Sequence, residues 1–337
     1  MSNLSQFSGG ASTTAPRIAR MAVSNWVTRA SSQDNSWSAI AWNGTLFAAV
    51  SPNGSNRVMT SPDGITWTNR TASAANSWRG IAWNGTVFCA VAGSGTGNRV
   101  MTSPDGITWT GRTSAADNYW IAIAWNGTVF CAVSIGGTGN RAMTSPDGIT
   151  WTIRTSAADN DWWGLAWNGT VFCAVANAGT NRVMTSPDGI TWTTRTPAAD
   201  NGWRAIAWNG TVFAAVAQSG TGNRVMTSPD GITWTSRTSA ADNDWIGIAW
   251  NGTVFCAVAE SGSGNRVMTS PDGITWTLRA SSVDNSWNQP AWNSLGTAPM
   301  YLLPTAGDGT TFAVAGAGEG SGDHIMTCHF SKYGSGS

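Results

Sequence analysis

Aspartate recurs in one short motif along this chain of 337 residues, at a spacing that could supply carboxylates for acid–base chemistry or for Ca²⁺ binding. The motif, Ser-Pro-Asp-Gly-Ile-Thr-Trp, returns at intervals of 41 or 42 residues. Its copies begin at Ser61, Ser103, Ser145, Ser186, Ser228 and Ser270. A short acidic side chain in a turn with Pro and Gly commonly accepts backbone N–H groups of the same turn. We therefore expect these carboxylates to stabilise their turns rather than to catalyse a reaction or bind calcium.

Other groups that could support catalysis or metal binding are few. The chain has three Tyr and two His, and its glutamates, Glu260 and Glu319, lie in Gly-rich segments. Neither His324 nor His329 has neighbours at a metal-ligand spacing. We predict that the chain is not an enzyme and that it holds neither a metal ion nor a cofactor. The cysteines at one repeated position are expected to be small buried thiols: Cys89, Cys131, Cys173 and Cys256.

Tryptophan follows the same period and indicates the elements that carry these residues. Of the 22 Trp, all but Trp163 fall into three series with one member in each of seven units, and most are expected to pack between neighbouring units. In the unit that begins at Trp245, apolar and β-branched residues favour four short strands. These strands are expected at 245–250, 253–259, 265–269 and 274–279. Between the first two, Asn251-Gly252 predicts a two-residue type I′ hairpin turn. Seven such units predict an all-β fold, a seven-bladed β-propeller of four-stranded antiparallel blades.

The two ends of the repeat predict how the ring closes. Residues 25–29 match only the fourth strand of a unit, and residues 323–327 match only the third. We therefore expect the ring to be closed by an N-terminal strand that completes the C-terminal blade. The predicted organisation is a flexible segment at 1–21, one propeller at 22–331 with an insertion at 293–309 in its last blade, and a tail at 332–337.

The string Ser-x-Asp-Gly-x-Thr-Trp resembles the Asp-box, or BNR, repeat of sialidases and of many bacterial and bacteriophage propellers. The resemblance covers six of the seven blades, and the last departs from it with Cys328, His329 and Phe330 in place of Ser-Pro-Asp. A sialidase would have an arginine trio on the substrate carboxylate and a Tyr nucleophile assisted by Glu. Here 13 of the 17 Arg occupy two repeated positions, which favours charge compensation within each blade over such a site.

A second resemblance concerns location. Residues 3–7, followed by Gly9 and Gly10, resemble the start of tail-fibre and other virion proteins of bacteriophages. The blades are similar to propellers of such proteins and of bacterial proteins. These resemblances imply a place in a virion or on an extracellular surface. Because no secretory signal is recognisable, a cytoplasmic location is the alternative.

Charge and hydropathy exclude two classes of partner. With 18 basic and 18 acidic residues, the formal net charge is zero, so the chain lacks the basic excess that binds nucleic acid. It also lacks a run of about 18 apolar residues, so we expect no insertion into a membrane.

The copies differ at the two positions that flank the first Trp of each unit, and also in the loops between the second and third strands. In a propeller these positions lie where the chain enters the innermost strand, at the rim of the central channel. The candidate ligand-binding residues there are Trp163, Arg79, Arg204, Tyr119, Asp161, Asp244 and Asn288. Such a rim suits carbohydrate, because an indole stacks on sugar C–H groups while Arg, Asn and Asp bond the hydroxyls.

Three interpretations of this variation stay open. The first is a non-enzymatic recognition or adhesion module of a phage virion or bacterial surface, which binds cell-surface glycans with Trp163 as the leading contact. The second is a structural virion or assembly component that binds protein partners through the N-terminal segment and the insertion at 293–309. The third is drift of exposed positions after duplication, which would give the same pattern without a ligand.

Overall fold

The structure, a computed structural model, describes residues 22–23, 26–292, 310–317 and 324–331. These residues form 29 strands in seven antiparallel sheets, and they contain no helix. The first strand of each sheet contacts the first strand of the next sheet. The first strand of the seventh sheet in turn contacts the first strand of the first sheet, so the sheets form a closed ring. The prediction of an all-β, seven-bladed propeller of four-stranded blades is therefore confirmed. The segments assigned to a flexible leader (1–21), an insertion (293–309) and a tail (332–337) lie outside the described residues.

Each blade is a meander in which consecutive strands pair in chain order, with the first strand on the channel side. Blade 1 consists of β3 (Ala39–Trp42), β4 (Phe47–Val50), β5 (Arg57–Ser61) and β6 (Thr68–Thr71). Blade 2 consists of β7 (Trp78–Trp83), β8 (Phe88–Ala92), β9 (Val100–Ser103) and β10 (Thr110–Arg112). Blade 3 consists of β11 (Trp120–Trp125), β12 (Phe130–Ser134), β13 (Ala142–Ser145) and β14 (Thr152–Arg154). Blade 4 consists of β15 (Trp162–Trp167), β16 (Phe172–Ala176), β17 (Val183–Ser186) and β18 (Thr193–Arg195).

The remaining blades follow the same plan. Blade 5 consists of β19 (Trp203–Trp208), β20 (Phe213–Ala217), β21 (Val225–Ser228) and β22 (Thr235–Arg237). Blade 6 consists of β23 (Trp245–Trp250), β24 (Phe255–Ala259), β25 (Val267–Ser270) and β26 (Thr277–Arg279). Blade 7 consists of β27 (Ser286–Trp292), β28 (Thr310–Ala317), β29 (Ile325–Ser331) and the two N-terminal pieces β1 (Ala22–Val23) and β2 (Val27–Arg29).

The ring closes as predicted, because β1 and β2 both pair with β29, the last strand of the chain to be described. The Arg29 side chain donates from Nε to Thr327 Oγ1 at 3.0 Å across this seam. Trp26 is buried there in one cluster with residues of blades 6 and 7. The outermost strand of blade 7 therefore comes from the other end of the propeller, which ties the ring by main-chain pairing.

Hydrophobic clusters form between neighbouring blades. One of them joins Cys89 and Val91 of blade 2 to Trp120 and Phe130 of blade 3. The first Trp of every blade is fully buried, and the indole Nε1 of Trp120, for example, donates to the Ala116 carbonyl at 3.0 Å. The repeated cysteines are free and buried, as predicted, and burial raises the pKa of the Cys89 thiol far above its usual range.

The repeated Asp residues hold their turns through hydrogen bonds. Asp105 Oδ1 accepts the backbone N–H groups of Ile107 at 2.8 Å and Thr108 at 2.9 Å, together with the Ser103 hydroxyl at 2.9 Å. The bond from Thr108 does most to lower the pKa of Asp105 below its usual value. The indole of Trp109 donates to the carbonyl of Gly106 at 2.9 Å in the same turn.

The hairpin turn after the first strand differs from the prediction. In blade 6 the last pair of the ladder is Trp250 with Phe255, so the loop has four residues. A type I′ turn needs positive φ at both central positions, but in this loop only Gly252 has one, at 92°. Instead, the side-chain Oδ1 atom of Asn251 accepts hydrogen bonds from the backbone N–H groups of Thr253 and Val254, at 2.9 and 2.8 Å. The prediction of a type I′ turn is wrong because this side chain replaces a backbone acceptor.

Candidate functional site

One cavity of about 290 Å³ lies on the axis of the ring, at one mouth of the channel. It is lined by the residue that follows the first Trp in every blade. These seven residues, which we call the mouth ring, are Ser38, Arg79, Ile121, Trp163, Arg204, Ile246 and Asn288. The repeat unit thus places one of its variable positions in a single shared cavity.

A β-bulge aims six of these side chains into the channel. In blade 3, Trp120 pairs with Ser134 and Ala122 with Val133, so Ile121 is the extra residue of the ladder. The same shift follows the first Trp in blades 2, 4, 5, 6 and 7. A bulge turns an extra side chain away from the regular alternation of a strand. The first Trp can therefore pack between blades while its neighbour in sequence lines the channel.

Below the mouth ring, the channel is lined by small and then by aliphatic side chains. The next position along the first strand is Gly or Ala in blades 1 to 6, for example Gly80 and Ala122. A Cβ on Gly80 would lie 2.7 Å from the carbonyl oxygen of Ile121, so adjacent first strands are in close contact here. The cavity ends on a floor of aliphatic side chains: Ile81, Ile123, Leu165, Ile206 and Ile248.

Two arginines of the mouth ring stack on aromatic rings of a neighbouring blade. The Arg204 guanidinium carbon lies 3.6 Å from the centroid of the Trp163 ring. Arg79 lies 5.4 Å from the centroid of Tyr119. The backbone at Gly93 packs closely against the Tyr119 ring, since a Cβ built on Gly93 would lie 2.6 Å from the nearest ring atoms. This contact holds Tyr119 in place. Such cation–π contacts fix the planes of both guanidinium groups.

Neither arginine has an ion pair or a hydrogen bond within the part of the chain that the structure describes. The Nε atoms of Arg79 and Arg204 are buried without a hydrogen-bond partner there. Glu260, from the loop between β24 and β25, lines the same cavity. Burial lowers the pKa of Arg204; the charge of Glu260 opposes this shift, whereas the charge of Arg79 adds to it. A guanidinium group nevertheless stays protonated at neutral pH.

The other predicted site residues fall into two places. Asn288 lines the cavity and donates from Nδ2 to the Trp37 carbonyl at 2.8 Å, across the seam between blades 7 and 1. Asp161 and Asp244 are not among the lining residues and instead pair with arginines of the preceding blade. Their partners are Arg141 Nη1 at 2.9 Å and Arg224 Nη1 at 2.7 Å, respectively. Their carboxylates are therefore engaged in holding loops together.

Charge compensation within blades, as expected from the sequence, applies to one of the two repeated arginine positions. The third-strand Arg99 lies 3.5 Å from Asp117, and the pairs of Arg141, Arg224 and Arg266 are similar. Fourth-strand arginines such as Arg112 donate instead from Nε to a Thr hydroxyl, here Thr102 at 2.9 Å. In blade 7, His324 takes the third-strand position and contacts the Asp34 carboxylate.

Sequence reasoning missed Glu260 as part of this site, although a signal was present. The loops between second and third strands begin with Ser51, Gly93, Ile135, Asn177, Gln218 and Glu260 in blades 1 to 6. Glu260 is the single charged residue in that set, and the loops emerge beside the mouth ring. The bulge and the aliphatic floor could not be predicted from the sequence in the same way, because both depend on how the strands pair.

A second, open crevice of about 400 Å³ lies between two loops of blade 4. It is lined by Gly179, Thr180, Asn181, Thr196, Pro197, Ala199 and Asp200. These residues belong to a single blade and include one charged side chain, and none of them is a buried group without a partner. The axial cavity is therefore the better candidate for a ligand site.

In the described ranges, no three His, Cys, Asp or Glu side chains lie close enough together to hold a metal ion. Nor do those ranges include a helix with the length and apolar character needed to cross a membrane.

Comparison with known proteins gives matches by structure alone. No protein-family model matches this sequence, and no curated protein matches it. Virginiamycin B lyase from Staphylococcus aureus is similar in structure, with a TM-score of 0.71 and 11% identity over 91% of this chain and 98% of the lyase. YCF48 from Cyanidioschyzon merolae gives a TM-score of 0.64 and 14% identity over 90% of this chain and 98% of YCF48. YCF48 bound to a D1 peptide matches equally well, over 94% of this chain and 99% of that one.

The lyase corrects the prediction that the chain is not an enzyme. A propeller of this shape makes up nearly the whole of virginiamycin B lyase, which is an enzyme. The scarcity of acid–base groups in the repeats was therefore a wrong reason to exclude catalysis. At 11% identity the likeness extends to the fold alone, so no residue or reaction of the lyase is transferred to this chain.

Proposed function

We propose that this chain recognises a carbohydrate at the mouth ring. The observation that carries the proposal is the convergence of seven residues of five different types, one from each blade, on one axial cavity. The blades repeat their turns and their tryptophans, but they differ where a side chain faces this cavity. The residue before the fourth-strand Arg also varies, for example Asn69, Gly111 and Ile153, but its copies lie on the outer strands of separate blades, whereas the mouth-ring residues line one shared cavity.

The composition of the mouth ring suits a sugar. Trp163 offers an aromatic surface, and Arg79 and Arg204 offer N–H donors in fixed planes. Ile121 and Ile246 supply apolar contact for C–H groups. Ligand pockets usually enclose roughly 300–1,000 Å³, so about 290 Å³ has room for one sugar ring of a glycan. This size favours a sugar residue over a folded peptide segment.

The resemblance of the blades and of residues 3–10 to bacteriophage virion proteins supports a proposal on location. We place the chain in a virion or on a bacterial surface, where the sugar would belong to a cell-surface glycan. The alternative of a structural component rests on the N-terminal segment and the insertion at 293–309. Both lie outside the described residues, so the contacts described here do not bear on that alternative.

A glycan array tests the proposal with two variants. Trp163→Ala removes the indole from the mouth ring, and Ile153→Ala removes an exposed side chain from the outer strand of blade 3. We expect the wild type to bind at least one glycan class, Trp163→Ala to bind it about tenfold more weakly, and Ile153→Ala to bind normally. If the wild type binds peptides but no glycan, or if Trp163→Ala binds like the wild type, the proposal is wrong.

A further inference from the structure

The two mouth-ring arginines are an unusual pair, because their charges lack partners among the described residues. Every third-strand and fourth-strand arginine discussed above has a carboxylate or hydroxyl partner. Arg79 and Arg204, by contrast, keep a buried Nε without one. A buried polar group without a partner destabilises a protein, and a buried charge does so more strongly. An anion in the cavity would compensate the two charges and accept hydrogen bonds from the guanidinium groups that line it.

The two arginines also lie close enough for their charges to interact. Both line the same cavity of about 290 Å³, and the charge of Arg79 contributes to the lowered pKa of Arg204. Two like charges that face one enclosed space repel each other unless a counter-charge lies between them. The Trp163 and Tyr119 rings hold the two guanidinium groups in place, so the pair cannot easily turn away to solvent.

Glu260 limits how much negative charge the cavity can accept. Its carboxylate lines the cavity but forms no ion pair within 4.0 Å with either arginine, as far as the described residues extend. Two arginines and one glutamate give the lining a net charge of +1. One negative charge on a ligand would neutralise it, whereas a second would be repelled by Glu260.

We infer that the sugar bound at the mouth ring carries one negative charge, which lies between Arg79 and Arg204. This inference rests on the proposed function. The chemical class is an acidic sugar with a carboxylate or a sulfate ester. Guanidinium groups bind such oxygens through two parallel N–H···O bonds. A phosphate monoester, with close to two negative charges at neutral pH, is disfavoured by Glu260.

Isothermal titration calorimetry of the full chain, with four glucose derivatives, tests this inference. The probes are glucuronate, glucose 6-sulfate, glucose 6-phosphate and glucose. We expect glucuronate or glucose 6-sulfate to bind at least about tenfold more tightly than glucose and than glucose 6-phosphate. Glu260→Gln should narrow or remove the difference in affinity between glucuronate and glucose 6-phosphate, because it removes the carboxylate that repels a second negative charge.

Two arginine variants separate a ligand role from a structural one. Arg79→Met should lose the preference for the charged sugar without a lower melting temperature, because the arginine has no ion pair or hydrogen bond to lose among the described residues. Relief of its repulsion with Arg204 should offset the loss of the 5.4 Å cation–π contact with Tyr119. Arg112→Met should keep the preference for the charged sugar but lower the melting temperature, because it loses the hydrogen bond to Thr102 on the outer edge of blade 2. The inference is overturned if Arg79→Met unfolds more easily and keeps the preference.

The titrations also distinguish the inference from the proposed function. If glucose and glucuronate bind equally, the charge inference fails while sugar recognition stands. If a peptide with a free carboxylate binds and no sugar does, sugar recognition fails and the inference falls with it, although the arginines would then bind another anion. If glucose 6-phosphate binds most tightly, the role assigned to Glu260 is wrong.

Discussion

The guanidinium group of Arg204 stacks on the indole of Trp163, with the guanidinium carbon 3.6 Å from the ring centroid. Trp163 belongs to blade 4 and Arg204 to blade 5, and each is the extra residue of a β-bulge. Arg79 and Tyr119 form a longer contact of this kind between blades 2 and 3, at 5.4 Å, but here the arginine belongs to the earlier blade and Tyr119 precedes the first Trp. The contacts join blades at the channel mouth and leave both arginines in the lining of the cavity.

Trp162 and Trp163 are adjacent in sequence but have opposite environments, which gives a sharp test of the bulge. Trp162 is fully buried between blades, so Trp162→Ala should lower the free energy of unfolding by about 3–5 kcal/mol. Trp163→Ala should cost no more than about 2 kcal/mol, the upper range for loss of its cation–π contact. Urea denaturation followed by circular dichroism measures both. Equal losses in the two variants would mean that Trp163 is a core residue.

The close contact between first strands predicts an asymmetric response to small substitutions. Gly80→Ala places a Cβ 2.7 Å from the Ile121 carbonyl oxygen, and such overpacking should cost about 1–3 kcal/mol. Ala122→Gly, at the same position of the next blade, should cost only about 0.5–1 kcal/mol because it mainly frees the backbone. Thermal unfolding of the two variants compares them. A Gly80→Ala variant as stable as the wild type would contradict the close contact.

The repeated turn carboxylates predict a loss of stability in acid. In all six turns the pKa of the Asp is lowered in the folded state, and in Asp105 and Asp147 the backbone N–H of Thr108 and Thr150 contributes most. A group with a lowered folded pKa stabilises the fold above its unfolded pKa of about 3.9, and this contribution is lost as the pH falls through the folded value. We therefore expect the urea midpoint to be constant between about pH 6 and pH 5 and to fall below about pH 4.

Asp105→Asn provides the control for this pH dependence. The amide keeps an oxygen that can accept the same N–H groups, but it does not titrate. The variant should be less stable than the wild type near neutral pH, and the difference between the two should shrink as the pH is lowered. A difference that stays the same down to about pH 3 would show that Asp105 does not contribute through its charge.

Closure of the ring predicts that the N-terminal strand is essential for stability. Deletion of residues 1–30 removes β1, β2 and the buried Trp26, and it exposes the edge of β29 together with the cluster between blades 6 and 7. The melting temperature should fall in a single cooperative transition. Deletion of residues 1–21 keeps β1 and β2 and is expected to leave the melting temperature unchanged. Equal stability after the longer deletion would contradict closure by β2.

The sequence was sufficient for the architecture because the repeat carries so much redundant information. Seven copies of one unit fix the number of blades, and the incomplete units at residues 25–29 and 323–327 fix where the ring closes. Both depend only on local strand patterns and on the count of copies. The turn at Asn251 was misjudged because Asn can hold a hairpin through its side chain as well as through positive φ.

The site was predicted only in part, for a related reason. The variable positions after the first Trp pointed to Arg79, Trp163, Arg204 and Asn288, and all four line the cavity. Asp161 and Asp244 also stand at a position that differs between the blades, but their carboxylates form ion pairs with Arg141 and Arg224 and do not line the cavity. Variation in sequence does not reveal whether a side chain already has a partner, since partners come from another blade.

The bulge after the first Trp separates the residue that lines the cavity from the residues that form the ladder. Because that residue is an extra one, its exchange leaves strand pairing and the buried tryptophans intact. The near-identity of the units also means that the coding segments for whole blades can recombine in register. A chain built in this way can acquire a new ligand preference by a point mutation in one blade, or by exchange of a blade, without having to evolve a new fold.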